Sequence, residues 1–375
     1  MNSSKKHCKN KDNLKKTKEK NEQIDSILLP GLPNHLAHLC LSTLNPKNLY
    51  GVCKSWRNLI YSPHFPPFFS LYALMCQSSS SVGFFSFDPI SWKWTPLPSP
   101  PCHPSLSLLR RHPSFISRTL PIQSITASNR LVLLAANTHN FLPALTHPLV
   151  FDPLSCKWNF GPPLSTPRRW CVTGAINDVV YVASGIGAKY HSNVARSLEK
   201  WDMLKKETEW NWETKASYKD GKFSREAIEA IGCKNKLCMV NIKGKAVKEG
   251  AVYNVAMDRW EEISMNMLEG WNGPATVYDD VVYVVNQESG SLSKYDGDKD
   301  CWEVIIDTSE ELKGAEHISA DRGKICAVSG DGRTIVIVDI VARPPKIWLL
   351  DSLEQMEVVA VHILPRMSLL EASML

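Results

Sequence analysis

Tyr295-Asp296-Gly297-Asp298-Lys299-Asp300-Cys301-Trp302 is a stretch that this chain repeats. An aromatic residue followed by Asp or Asn, with Trp seven positions after the aromatic, occurs again at Phe87–Asp88–Trp94, Phe151–Asp152–Trp158 and Tyr253–Asn254–Trp260. Looser versions stand at Trp201–Asp202–Trp210, with two extra residues, and at Val338–Asp339 followed by Trp348. Successive anchors lie 64, 50, 52, 42 and 43 residues apart, converging on the length of a four-stranded propeller blade. Each part has a physical role in that reading. The aromatic ends a strand on a buried face, and the Asp or Asn side chain caps the following turn. The Trp then returns into the gap between blades, where an indole buries roughly 150–250 Å².

A second signal keeps phase with the first. Ahead of each later anchor stands a polar turn and an apolar strand: Asn129–Arg130 before Leu131–Leu134, Asn177–Asp178 before Val179–Val182, and Asn235–Lys236 before Leu237–Val240. Asp279–Asp280 before Val281–Val285 and Arg322–Gly323 before Lys324–Val328 continue the series. Near-continuous apolar strands are expected where neighbouring blades cover both sheet faces. Asn, Asp and Gly supply the backbone freedom that tight hairpins need. The repeats therefore predict a β-propeller over 68–365, with six blades and the apolar strand Val358–Leu364 closing the ring against the first blade. Closure removes exposed sheet edges.

Residues 29–67 have helical rather than strand periodicity. Pro33 suits a first helical turn, and Leu36, Leu39, Cys40 and Leu44 recur at helical spacing. Asn45–Pro46 is an N-cap and first-turn pair, after which Leu49, Val52, Cys53, Trp56 and Leu59–Ile60 fall on one face of a second helix. So short a segment needs a partner to cover that much apolar surface. Residues 1–28 are polar and Lys-rich and read as a disordered tail, a nuclear-import signal or simply a solvated segment; 366–375 read as a C-terminal tail.

Composition narrows the function classes. In 375 residues the net charge is +5, but residues 1–27 hold eight Lys against Asp12, Glu19, Glu22 and Asp25, a local balance of +4. The remainder is close to neutral, which does not indicate nucleic-acid binding. No apolar run approaches the roughly 18 residues of a membrane span, so no membrane partner is expected. The eleven cysteines include no C-x-x-C pair, and an odd count with no secretory signal suits a reducing, intracellular setting, cytoplasm or nucleus.

The helical segment resembles an F-box, on Leu32-Pro33-Asn34-His35-Leu36, Leu44-Asn45-Pro46-Lys47-Asn48-Leu49 and Val52-Cys53-Lys54-Ser55-Trp56-Arg57. The repeats resemble kelch motifs, without the paired glycines usual after the second strand. The whole, from 29 to about 350, is similar to plant F-box/kelch-repeat proteins. That resemblance implies a substrate receptor of an SCF (Skp–cullin–F-box) ubiquitin ligase. Leu32, Pro33, Leu36, Leu44, Pro46, Leu49, Val52, Cys53 and Trp56 match the positions that dock on the Skp adaptor, and through it on the cullin and RING subunits. The alternative for each is packing within the module. A target protein of unknown identity is expected on the propeller.

Ligands of propellers usually meet the loops that lead into the innermost strands. Here these are 166–170, 222–225, 269–273 and 313–317, which bring Arg168, Arg225, Trp271 and Asn272 to equivalent positions as target-binding candidates. The alternative for the arginines is salt bridging within the propeller. The Pro-rich stretch 99–121, with Arg110, Arg111 and Arg118, is a second contact element or a stiff connector. A kelch-propeller metalloenzyme is a rival reading. However, His103, His112, His139 and His147 are out of phase with the blades, and no nucleophile–base pair or phosphate-binding glycine loop is present. No cofactor, metal site or catalytic residue is expected, and a scaffold not coupled to degradation is the other rival.

Overall fold

In a computed structural model the described residues are 27–77, 82–101, 122–138, 142–224, 228–241 and 247–367. They fall into two compact units that divide between Pro67 and Phe68. The Lys-rich tail before Ile27, nearly all of 99–121, Arg225 and the last eight residues lie outside the described residues.

Among the described residues the first unit holds three short helices, Asn34–Ser42, Pro46–Tyr50 and Lys54–Ile60. The Asn45 side chain accepts from Lys47 N at 3.0 Å, so the expected cap forms. The second expected helix is two helices instead. Gly51 caps the first of them, and Cys53 takes an extended φ of −157° before the next. Ala37, Leu41, Leu49, Leu59, Ile60 and Phe65 form the small buried core.

The second unit is six antiparallel four-stranded sheets. In chain order their inner strands are Gln123–Ala127, Val172–Ile176, Ile228–Cys233, Ala275–Tyr278 and His317–Asp321, in blades II to VI. Blade I takes its inner strand from the end of the chain: Met356–Pro365 pairs with Phe69–Gln77, as the apolar run at 358–364 suggested. The six inner strands touch their neighbours in a closed ring. The core is not one mass but six clusters, one in each gap between blades. Trp201 in the cluster between blades II and III and Trp271 in that between IV and V are fully buried.

Each blade's Asp or Asn caps its turn as the repeat predicts, by accepting from the backbone two residues on: Ile90, Leu154, Leu204, Asp298 and Val341 N at 2.9–3.0 Å, with Asn254 reaching Met257 N at 3.2 Å. The hairpins between first and second strands are Ser128–Asn129, Asn177–Asp178, Lys234–Asn235, Asp279–Asp280 and Arg322–Gly323, all with φ between 46° and 72°. Two left-handed residues make turns whose twist matches the strands. In blades II and IV the turn sits one residue earlier than the sequence suggests, because Arg130 and Lys236 already pair in their strands.

The tryptophans join blade to blade. Trp94, Trp158, Trp260 and Trp302 stand directly opposite Phe87, Phe151, Tyr253 and Tyr295. Each indole N–H donates to a carbonyl of the preceding blade or its linker: Asp351, Pro98, Ala216 and Asn266, at 2.7–3.2 Å. Blade III corrects the repeat. Trp201 faces Trp212, not Trp210, and Trp212 makes the bond to Pro162 O at 2.8 Å. Blade VI corrects it again. Val338 faces Ile347, so Trp348 falls one residue out of register, opposite Ile337, and is 43% exposed. A one-residue slip turns a strand's side chains to the other face.

Candidate protein-recognition surfaces

The helical unit leaves its large apolar side chains outward. Leu36, Leu39, Leu44 and Val52 are exposed, as are Pro33 and Cys53, while Leu32, Pro46 and Trp56 are half-buried. Leu49 is buried, so among the nine motif residues it packs within the unit. Trp56 has an internal role as well: its Nε1 donates to Leu28 O at 2.7 Å, and Asn34 Oδ1 accepts from Leu28 N at 3.2 Å. The Trp thus anchors the chain ahead of the first helix. The outward residues form a surface able to receive an apolar partner.

In the propeller, loops gather at two ends. One end carries the first-to-second-strand hairpins and is here termed the turn face. The other carries the links between blades and the second-to-third-strand loops, the linker face. Arg168 and Trp271 belong to linker-face loops, yet neither is available to a target. Arg168 is 1% exposed and pairs with the Glu199 carboxylate. It also donates to Ser197 Oγ at 2.6 Å and to the carbonyls of Thr166 and Ser184, and Ser165 Oγ donates to Glu199 at 2.7 Å. This is the salt-bridging alternative, realised inside blade III. A buried guanidinium persists only when its charge and donors are matched this fully.

Trp271 is 0% exposed and donates its Nε1 to Gly273 O at 3.1 Å. Its carbonyl and the Asn272 side chain accept from Lys248 Nζ at 2.9 and 2.5 Å. Lys248 also caps the carbonyls of Leu268 and Glu269 at the end of the helix Met265–Gly270. Asn272 is therefore half-buried and held in a structural knot. The sequence places the loops at this face correctly but mistakes which side chains face out. An Arg or Trp in a linker crossing between blades meets apolar neighbours on both sides.

The residue the sequence reading passed over is Arg169, next to the arginine it selected. Its guanidinium lies over the Trp170 ring, 4.4 Å from the centroid. Burial lowers its pKa, and its buried Nε has no hydrogen-bond partner among the described residues. The dipeptide Arg169–Trp170, an arginine beside an aromatic, was the available signal.

Between the inner strands runs a channel of about 570 Å³. His362, buried, meets Ser124 Oγ at 2.9 Å and Thr126 Oγ1 at 3.2 Å, and its ring stands edge-on to His317 at 5.3 Å. Val361 N donates to His317 Nδ1 at 3.3 Å, so that nitrogen is unprotonated. Burial holds His317 down at about 4; burial, with His317 beside it, keeps His362 well below the ordinary value. Both rings are neutral at pH 7. Burial also pushes the thiols of Cys238 and Cys326 up to about 12, which makes them poor nucleophiles. Among the described residues no group of three or more His, Cys, Asp or Glu is placed to hold a metal ion.

Comparison with known proteins matches this architecture. No protein-family model matches the chain. The chain is 47% identical over 360 residues to the F-box/kelch-repeat protein SKIP25 of Arabidopsis thaliana, spanning 92% of this chain and 91% of that protein. It is 24% identical over 274 residues to the F-box protein AFR of the same plant, spanning 69% and 68% respectively. With 92% of the chain matched at 47% identity, and with a six-bladed ring following the short helices in sequence, the chain belongs to the F-box/kelch-repeat proteins.

Proposed function

We propose that this protein is the substrate-recognition subunit of an SCF-type ubiquitin ligase in the cytoplasm or nucleus. The helical unit docks on a Skp-family adaptor, and through it on cullin and RING subunits. The propeller holds a target protein for ubiquitination and contributes no catalysis of its own. The observation that carries this reading is the outward apolar set of Leu36, Leu39, Leu44 and Val52, between 42% and 63% exposed on helices too short to cover them. Apolar contact of this kind drives association.

The test is co-purification of the full chain with a Skp adaptor. Leu44→Asp and Val52→Asp place charge at exposed positions without disturbing the small core, and each is expected to abolish adaptor recovery. Recovery equal to wild type would overturn the docking assignment. Trp56→Ala is a poorer probe, because that side chain also holds Leu28. Accumulation of captured partners under proteasome inhibition, lost in Leu44→Asp, would tie docking to degradation; no change would separate the two.

A further inference from the structure

We propose that the linker face above blades III and IV is a docking site for an acidic polypeptide segment, anchored by the Arg169 guanidinium on the Trp170 ring. The inference rests on the reading that the propeller holds a partner protein, and it names the chemistry of the segment held. Two adjacent arginines supply the starting contrast. Arg168 has a carboxylate and three further acceptors. Arg169 has the face of one indole, and among the described residues no carboxylate forms an ion pair with it. A half-buried cation without a counter-charge is costly, and a carboxylate supplied from outside would remove that cost. Guanidinium matches a carboxylate in a two-pronged geometry, and stacking on an aromatic fixes its plane beforehand.

The loop is set before any partner arrives. Arg169 and Ile186 exchange two backbone hydrogen bonds at 2.8 and 2.9 Å. Trp170 is held at φ +53°, a left-handed conformation uncommon for a bulky residue, which fixes the direction in which its ring leaves the loop. Surrounding loops extend the cationic character. Lys189 lies in the loop that pairs with Arg169, and Tyr190 of that loop reaches Gly221, in the link that carries Lys219 and Lys222. Asp220 lies between those two lysines and Glu249 pairs with Lys222, so Lys189 and Lys219 supply the positive charge added to that of Arg169.

Across the same face, above blades V and VI, the sign reverses. Glu288, Glu310, Glu311 and Asp331 are exposed there, against Lys313 and Arg333. A long polyanion such as nucleic acid, or an anionic membrane, would be repelled by half of this face. A short acidic segment, seated on one half and excluded from the other, is not. The polarity therefore selects both the ligand and where it lies.

The test uses the full chain and fluorescein-labelled twelve-residue peptides: alternating Glu-Gly, alternating phosphoserine-Gly, and alternating Lys-Gly. Polarisation should rise with the Glu peptide and not the Lys peptide, and the affinity should fall as salt screens the contact. Arg169→Ala should weaken it at least tenfold with an unchanged melting temperature, while Arg333→Ala, on the opposite half, should leave it unaltered. Equal binding by Arg169→Ala, or no binding by wild type, overturns the site. Binding of the phosphoserine peptide more than tenfold tighter than the Glu peptide overturns the carboxylate assignment. If Arg169→Ala does not fold, Trp170→Leu reads the same site and should also weaken binding. Adaptor co-purification on the same preparations keeps the two proposals apart, since Arg169→Ala should retain the adaptor fully.

Discussion

In the helical unit Leu36, Leu39, Leu44 and Val52 lie 42–63% exposed, whereas in the propeller loops Arg168 and Trp271 are 1% and 0% exposed. Residue type alone would place the leucines inside and the arginine outside. The difference is one of geometry. Three helices of nine, five and seven residues enclose a core of only a few side chains, and the rest of their apolar surface stays outward. A ring of six sheets has six wedge-shaped gaps, and its linkers cross above them. A long side chain rooted in a linker is therefore drawn inward, provided its polar atoms find partners.

The sharpest way to break this contrast is to remove a buried loop residue. Arg168→Ala leaves Glu199 charged and unpaired, and should cost about 3–5 kcal/mol in the propeller's denaturant transition. Trp271→Ala should cost about as much through the cavity it leaves. Trp348→Ala, out of register and 43% exposed, should stay within about 1 kcal/mol. Small losses at Arg168 and Trp271 would mean that these loops stand open after all.

Next comes pH. His317, held at about 4 against an ordinary 6.5, is neutral when folded but takes up a proton when unfolded at pH 5. Its contribution is fully present above pH 6.5, is lost as pH falls through that value, and stops falling below about 4. His362 shifts in the same direction. The melting temperature should drop between pH 7 and pH 5, and His317→Gln should make that drop shallower. An unchanged slope would show that the channel histidines are solvated. The smallest effects belong to the helical unit. Asn45→Ala removes a cap and should cost about 1 kcal/mol of its stability. Leu44→Asp should cost less than about 0.5 kcal/mol, measured by far-ultraviolet circular dichroism on heating.

Much of the ring was legible in advance because its signals are local. A capping Asp, a left-handed hairpin pair and a cross-strand aromatic each involve residues close in sequence, and they repeat. The turn residues after Phe87, Phe151, Tyr253 and Tyr295 followed the pattern throughout. What was not legible depends on register or on distant partners. The eleven-residue spacing of Trp201 to Trp212 comes from a longer turn with its own helical twist at Glu207–Glu209. Trp348 has the expected identity near the expected place, but one position of slip decides its face. The choice between Arg168 and Arg169 rests on Glu199, which lies thirty-one residues along the chain.

Ring closure joins the two ends of the propeller's sequence. Tyr72 donates to Pro365 O at 2.7 Å across 293 residues, and the strand pair around it cannot form until both have left the ribosome. During synthesis the strand Phe69–Gln77 waits with one edge uncovered while five further blades are made. A premature stop between Phe68 and Met356 would leave a chain with its helices at 34–60 and an open ring. Such a product would keep the apolar surface proposed above to dock on an adaptor, while its own unpaired edge invited aggregation.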